Sequence, residues 1–178
     1  MTLKINDKFP TDHTIKYIPY SKANDSPVAC GNPAQYDLAK ELPGKKVIIT
    51  AAPGAFTPTC TEQHIPAYLK HLKDFKSKGI DKIIVLTAND PFVLSAWEKA
   101  LGYKDEENYV IFGTDPLGQI SKEIGDDYVV DMSKAGFGLR TSRYVSVVDN
   151  GKIIYLANED DAGSFKASDP NIVLAALK

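Results

Sequence analysis

Only two side chains in this sequence can act as soft nucleophiles, Cys30 and Cys60. Cys60 closes the stretch Pro53-Gly54-Ala55-Phe56-Thr57-Pro58-Thr59-Cys60. The β-branched run Val47-Ile48-Ile49-Thr50 leads into that stretch, and a helical pattern from Thr61 to about Lys78 leads out of it. The order puts the sulfur in the first turn of a helix. Backbone N–H groups there have no intrahelical partner, and the helix dipole is positive. A thiol so placed ionises more readily, and the thiolate is the attacking form. The chemistry expected of Cys60 is that of a reactive sulfur. Cys30 lies among the Ser, Asn, Asp, Pro and Gly residues of 21–35, a loop by composition. It is expected to be exposed and mobile rather than packed.

The residues around Cys60 qualify that chemistry. In Thr57-Pro58-Thr59-Cys60 a hydroxyl stands where a two-thiol exchange site would carry its first cysteine. Thr57 can cap the helix, with Pro58 at the first helical position. In the other register Thr59 caps, and Glu62 completes a capping box. His64 falls one turn beyond Cys60 on the same helical face. A Cys60–His64 metal pair, with His71 further along, would still need oxygen or nitrogen ligands that nothing in the sequence singles out. No metal site is expected.

These groups need elements to hold them. Val47–Thr50, Lys82-Ile83-Ile84-Val85-Leu86-Thr87 and Tyr109-Val110-Ile111-Phe112 read as strands. Helical patterns follow each: Ile65, Leu69, Leu72 and Phe75 form a stripe in the first, with Pro66 as a kink and Gly79 as the stop. A second helix starts at Asn89-Asp90-Pro91 and a third at Asp115-Pro116. Tyr36–Leu42 reads as one short helix, and residues 125–142 as irregular. Tyr144–Val148 and Lys152–Leu156 flank Asn150-Gly151, a strong hairpin signal, and Ser168-Asp169-Pro170 opens a last helix. Strand–helix alternation implies a parallel sheet, to which the hairpin adds antiparallel strands. The expected fold is α/β: a mixed central sheet with helices on both faces and the reactive group at a strand-to-helix turn, the thioredoxin-like arrangement. No repeat or linker divides residues 1–178, so one domain is expected.

Composition narrows the function. Among 178 residues, 43% are hydrophobic and 25% charged, with a net charge of -2, which gives no reason to expect nucleic acid or an anionic membrane as a partner. No apolar run approaches the ~20 residues that cross a bilayer. Residues 1–7 lack a signal-peptide core, and Leu177-Lys178 is not a peroxisomal Ser-Lys-Leu address. A cytoplasmic protein is expected. Two cysteines are too few for a disulfide scaffold, which leaves inert core thiols or redox chemistry.

The pattern Pro53-x-x-x-Thr57-x-x-Cys60 resembles the peroxiredoxin signature. Its extension through His64-Ile65-Pro66 is similar to the type-5 (type II) branch, and the Cys30 loop to the fungal alkyl hydroperoxide reductases, or thiol-specific antioxidants, within it. The resemblance runs from about Ile48 to Asn150-Gly151 and includes Arg143-Tyr144-Val145-Ser146-Val147-Val148. It implies an antioxidant peroxidase that reduces hydrogen peroxide and alkyl hydroperoxides with no metal or organic cofactor. It implies roles as well. Cys60 attacks the O–O bond and becomes a sulfenic acid. The Thr57 hydroxyl contacts thiolate and substrate, and Pro53 shields the site. Arg143, with Arg140 as a nearby alternative, stabilises the thiolate and orients the peroxide. His64 supports the site from behind. Cys30 resolves the sulfenic acid as a disulfide, thioredoxin is the reductant, and the protein is a homodimer. The residues themselves leave open whether Cys30 reaches its own Cys60 or that of a second subunit. They also leave open a one-cysteine peroxidase served by an external thiol, and a redox relay that passes a disulfide to a partner protein.

Overall fold

The computed structural model describes all 178 residues. Seven strands form one mixed sheet: β1 (Thr14–Tyr17), β2 (Ala34–Asp37), β3 (Lys46–Ala51), β4 (Lys82–Thr87), β5 (Val110–Thr114), β8 (Tyr144–Asp149) and β9 (Lys152–Asn158), in the order β2-β1-β5-β4-β3-β8-β9. The three strands read from β-branched runs are the parallel centre, with Ile48 opposite Ile83 and Ile84 opposite Ile111. β8 joins β3 antiparallel, Ala51 facing Tyr144, and β9 returns through Asn150-Gly151, both at positive φ as a tight hairpin turn demands. Two short strands, β6 (Val129–Asp131) and β7 (Leu139–Thr141), form a separate ribbon.

Alternate residues of each central strand serve opposite cores, as the period of two requires. Ile48, Ile83, Val85, Val110, Phe112, Val145 and Val147 face one side. There they meet helices α2 (Ile65–Lys70), α3 (Leu72–Ser77), α4 (Pro91–Ala100) and α6 (Pro170–Ala176) through Ile65, Tyr68, Phe75, Leu94, Trp97 and Val173. Val47, Ile49, Ile84, Leu86 and Ile111 face the other. That side is covered by α1 (Leu38–Glu41) and α5 (Gln119–Ile124), through Leu38, Ile120 and Ile124. The thioredoxin-like sheet with helices on both faces is thus the observed one.

Three elements differ from their sequence reading. Tyr36–Leu42 is not one helix. Its first residues pair with β1, and the helix starts only at Leu38, where the Asp37 carboxylate accepts the Ala39 N–H at 3.1 Å. Residues 125–142 hold the β6–β7 ribbon. The helix expected to run from Thr61 to Lys78 opens as a π-turn over Cys60–His64, where the Ile65 N–H reaches the Cys60 carbonyl. It then breaks at His71 (φ -102°, ψ 15°) before Gly79 ends it at φ +76°. Pro66 explains the π-turn. It has no N–H for the carbonyl four residues back, and its ring needs the space that a widened turn provides.

Two positions give direct tests of this packing. A Cβ at Gly113 would sit 2.2 Å from Cγ2 of Ile15 on the neighbouring strand β1, which pairs with β5. Gly113→Ala is expected to lower stability by about 1–3 kcal/mol, read as a reduced urea midpoint. Glu98 on α4 is 2% exposed, and its Oε1 has no partner. Burial raises its carboxyl from 4.5 to about 8. The folded protein therefore holds a proton that the unfolded chain releases, and stability falls as pH climbs from about 4.5 towards 8. Glu98→Gln should gain stability over the wild type across that window and show a constant difference above it.

Candidate active site

β3 ends at Ala51, and the chain turns through Pro53–Thr57 into the helix that carries Cys60. Phe56 adopts φ 59°, unfavourable for an L-residue, and its ring is exposed. The Thr57 carbonyl accepts the Thr61 N–H, the first helical bond, so Thr57 is the N-cap by backbone and Cys60 sits at N3. Its hydroxyl caps nothing. It donates to the Gly54 carbonyl at 2.6 Å, closing the turn, and the residue lines the hollow that Cys60 also lines. No hydrogen bond joins Thr57 to the sulfur. Pro53 is buried beneath the turn, and its carbonyl accepts from Arg140 at 3.5 Å.

β8 brings the decisive cation. Because Tyr144 pairs with Ala51, Arg143 lies where β3 gives way to the cysteine turn. It is 1% exposed. Nη2 donates to Cys60 Sγ at 3.4 Å and to the Ala162 carbonyl at 2.7 Å, while Nη1 donates to His64 Nδ1 at 2.7 Å. Arg143 takes part in none of the molecule's ion pairs, so every acceptor it meets apart from the sulfur is neutral. Arg140, the alternative, stacks on Phe137 and donates to its carbonyl at 2.7 Å instead. His64 is fully buried between Tyr68 and Phe165, and its Nε2 lies 2.8 Å from Thr50 Oγ1. Burial, and then the neighbouring Arg143 cation, hold the imidazole well below its ordinary range, so it is neutral.

Pro53, Thr57, Pro58, Thr59, Cys60, Met132, Phe137, Arg143 and Ala162 line a hollow of about 230 Å³. Cys60 itself is only 2% exposed, so the hollow admits a small reagent to its floor. A larger hollow of about 470 Å³ shares Ala162 but is walled by Asp126, Asp127, Glu159, Asp160 and Asp161 and is lined by no cysteine. No three His, Cys, Asp or Glu side chains gather to hold a metal ion.

Cys30 is exposed, and the structure does not bring it to Cys60. Its loop is clasped by α4: Lys99 Nζ donates to the carbonyls of Ser26 (3.2 Å) and Ala29 (3.0 Å). Two residues earlier, Trp97 Nε1 donates to Thr61 on the Cys60 helix at 3.1 Å. Residues two apart point to opposite sides of a helix, so α4 holds the Cys30 loop through one side and the Cys60 helix through the other. Disulfide formation needs Cα atoms within about 7 Å.

The sequence model of the Redoxin family matches residues 4–174. A Lipomyces kononenkoae protein named "Putative peroxisomal peroxiredoxin" is 46% identical over 173 residues, covering 97% of this chain and all of that one. The chain belongs to the peroxiredoxins. A second relative, peroxiredoxin Pen c 3 of Penicillium citrinum, is 41% identical over 177 residues, 99% of this chain and all of its own. Reduced Prx3 of Vibrio vulnificus, solved in complex with H2O2, superposes with a TM-score of 0.81 at 29% identity over 99% of this chain and 96% of its own. This peroxiredoxin is thus a thiol-dependent peroxidase, an oxidoreductase acting on peroxide at the expense of a thiol. Two features of its site escaped the sequence reading. The Ala162 carbonyl had no signal, since any residue type presents one. Thr50 did have one: a single hydroxyl in the buried run Val47–Ala52.

Proposed function

We propose that Cys60 is the sulfur that reduces hydrogen peroxide and alkyl hydroperoxides, and that Arg143, Thr57 and Pro53 serve it in that reaction. The observation that carries this reading is a buried guanidinium without a carboxylate. A cation removed from water needs a counter-charge. The one group beside Arg143 able to supply it is the Cys60 sulfur, as thiolate.

The step follows from the lining. The thiolate attacks the distal peroxide oxygen in line with the O–O bond and becomes a sulfenic acid. The alkoxide or hydroxide expelled takes up a proton and leaves as alcohol or water. Guanidinium N–H groups and the helix N-terminal N–H groups face the charge that develops on the oxygens. Thr57 has committed its proton to Gly54, so its lone pairs accept the peroxide O–H and set the substrate's orientation. Pro53 and the Phe137 ring limit water at the mouth.

Cys30 is proposed to condense with the sulfenic acid, forming a disulfide and releasing water. The hold of α4 on the two cysteine segments from opposite sides supports a bridge between two copies in a homodimer, with thioredoxin as the dithiol that returns both cysteines to thiols. A reducing compartment, the cytoplasm, suits free reactive thiols.

Cys60→Ser is expected to abolish thiol-driven peroxide consumption. Dimedone, which traps sulfenic acids, should label Cys60 in the wild type after one equivalent of peroxide. Peroxide turnover by Cys60→Ser near the wild-type rate would overturn the assignment.

A further inference from the structure

The hydrogen bonds behind Arg143 have a direction that the distances alone do not state. Arginine donates and never accepts. At 2.7 Å from Nη1, His64 Nδ1 must therefore present a lone pair, which puts the single imidazole proton on Nε2. A doubly protonated ring would aim an N–H at a guanidinium in a buried site, and the neutral state of His64 agrees. The Nε2 proton then needs an acceptor, and Thr50 Oγ1 stands 2.8 Å away. All three residues are fully or almost fully buried, so water cannot substitute for any of them.

The anchoring is rigid at both ends. Thr50 belongs to β3, bonded on both sides, opposite Val85 of β4 and Val145 of β8. Arg143 immediately precedes β8. The His64 ring spans the gap between them, held edge-on by Tyr68 with centroids 5.5 Å apart. The guanidinium has freedom to lose: its Nε has no partner, so its orientation depends on the acceptors of Nη1 and Nη2.

We propose that Thr50 is a positioning residue for the peroxidase reaction: its hydroxyl fixes the Nε2–H tautomer of His64, and the free Nδ1 then holds the Arg143 guanidinium against the Cys60 sulfur. Without that acceptor, the Nε2–H form loses its advantage. The Nδ1–H form would turn a donor towards a donor and push the guanidinium off the sulfur. The proposal rests on the assignment of Cys60 and Arg143 above, but its first test does not depend on activity.

In ¹⁵N-histidine-labelled wild-type protein, the long-range ¹⁵N–¹H pattern of His64 should be that of the Nε2–H tautomer throughout pH 6 to 8. An Nδ1–H pattern, or titration to imidazolium in that range, would overturn the proposal while leaving the peroxidase assignment intact. Thr50→Val keeps the shape and removes the acceptor. It should introduce the Nδ1–H pattern and lower kcat/KM for hydroperoxide by about 10- to 100-fold, the range seen when a metal-bound histidine loses the group that orients it. Thr50→Ser should restore both. Wild-type kcat/KM in Thr50→Val, or loss of rate with the tautomer unchanged, would equally overturn it. Should Thr50→Val fail to fold, the wild-type spectrum and Thr50→Ser still decide.

Discussion

Arg143→Met should lower kcat/KM for hydrogen peroxide by about 10²-fold or more while leaving the urea midpoint unchanged or raised. The two halves of this expectation come from one fact. A guanidinium 1% exposed, with no carboxylate in reach, is poorly compensated whenever the sulfur is not an anion. Methionine fills similar volume without the charge, and relief of the buried charge offsets the acceptors left unpaired on His64 Nδ1 and the Ala162 carbonyl. The reaction loses the donor to the sulfur and the positive charge beside it. Lysine should not rescue the rate. A single ammonium cannot reach His64 Nδ1, Cys60 Sγ and the Ala162 carbonyl at once, as the planar fork does. Stopped-flow peroxide kinetics with equilibrium unfolding on the same samples would check both halves. A rate within a few-fold of wild type would remove Arg143 from the mechanism.

Cys30→Ser should leave the first oxidation of Cys60 untouched and stop cycling with thioredoxin, thioredoxin reductase and NADPH. The reason is geometric. Opposite sides of α4 hold the two cysteine-bearing segments of one chain, Lys99 the Cys30 loop and Trp97 the Cys60 helix. A peroxide-treated wild type should therefore run as a covalent dimer on non-reducing gels, and neither Cys30→Ser nor Cys60→Ser alone should do so. Mixed, the two variants should regain a dimer band, since one brings an oxidisable Cys60 and the other a resolving Cys30. A monomeric disulfide in the wild type would instead mean that the 21–35 loop leaves Lys99 and travels around the helix. Cycling that survives in Cys30→Ser would mean that an external thiol resolves the sulfenic acid.

Much of this arrangement is legible in the sequence because its determinants are local. β-branched runs give the three parallel strands, Asn150-Gly151 gives the hairpin, and Thr57-Pro58 gives the helix start that places Cys60 at N3. Arg143 was legible only through the peroxiredoxin resemblance, because the pairing of Tyr144 with Ala51 that brings it to Cys60 joins residues far apart in sequence. What escaped depends on pairing or on backbone groups. β2 has four residues and takes its form from β1, so its own pattern is weak, and Tyr36 reads equally well as helix. The ribbon β6–β7 has three residues a side. Thr57 has the composition of a side-chain cap, yet its hydroxyl turns to the Gly54 carbonyl, a choice set by the loop's three-dimensional path.

The widened turn over Cys60–His64 has a consequence for how the sulfur is aimed. Relative to an ordinary helix it holds one surplus residue, and each residue in a helix is worth about 100° of rotation. Ile65, Tyr68 and Phe75 are locked into the core downstream, so the phase of the helix is fixed from that end. Were the turn to close to an ordinary one with all its residues kept, as replacing the proline at 66 would allow, the surplus would be taken up by swinging the upstream end instead. Cys60 would then face about a quarter-turn away from the guanidinium, on a helix otherwise intact. The proline at 66 therefore acts at a distance as a sighting device, because it obliges the coil to open where the thiol must be pointed.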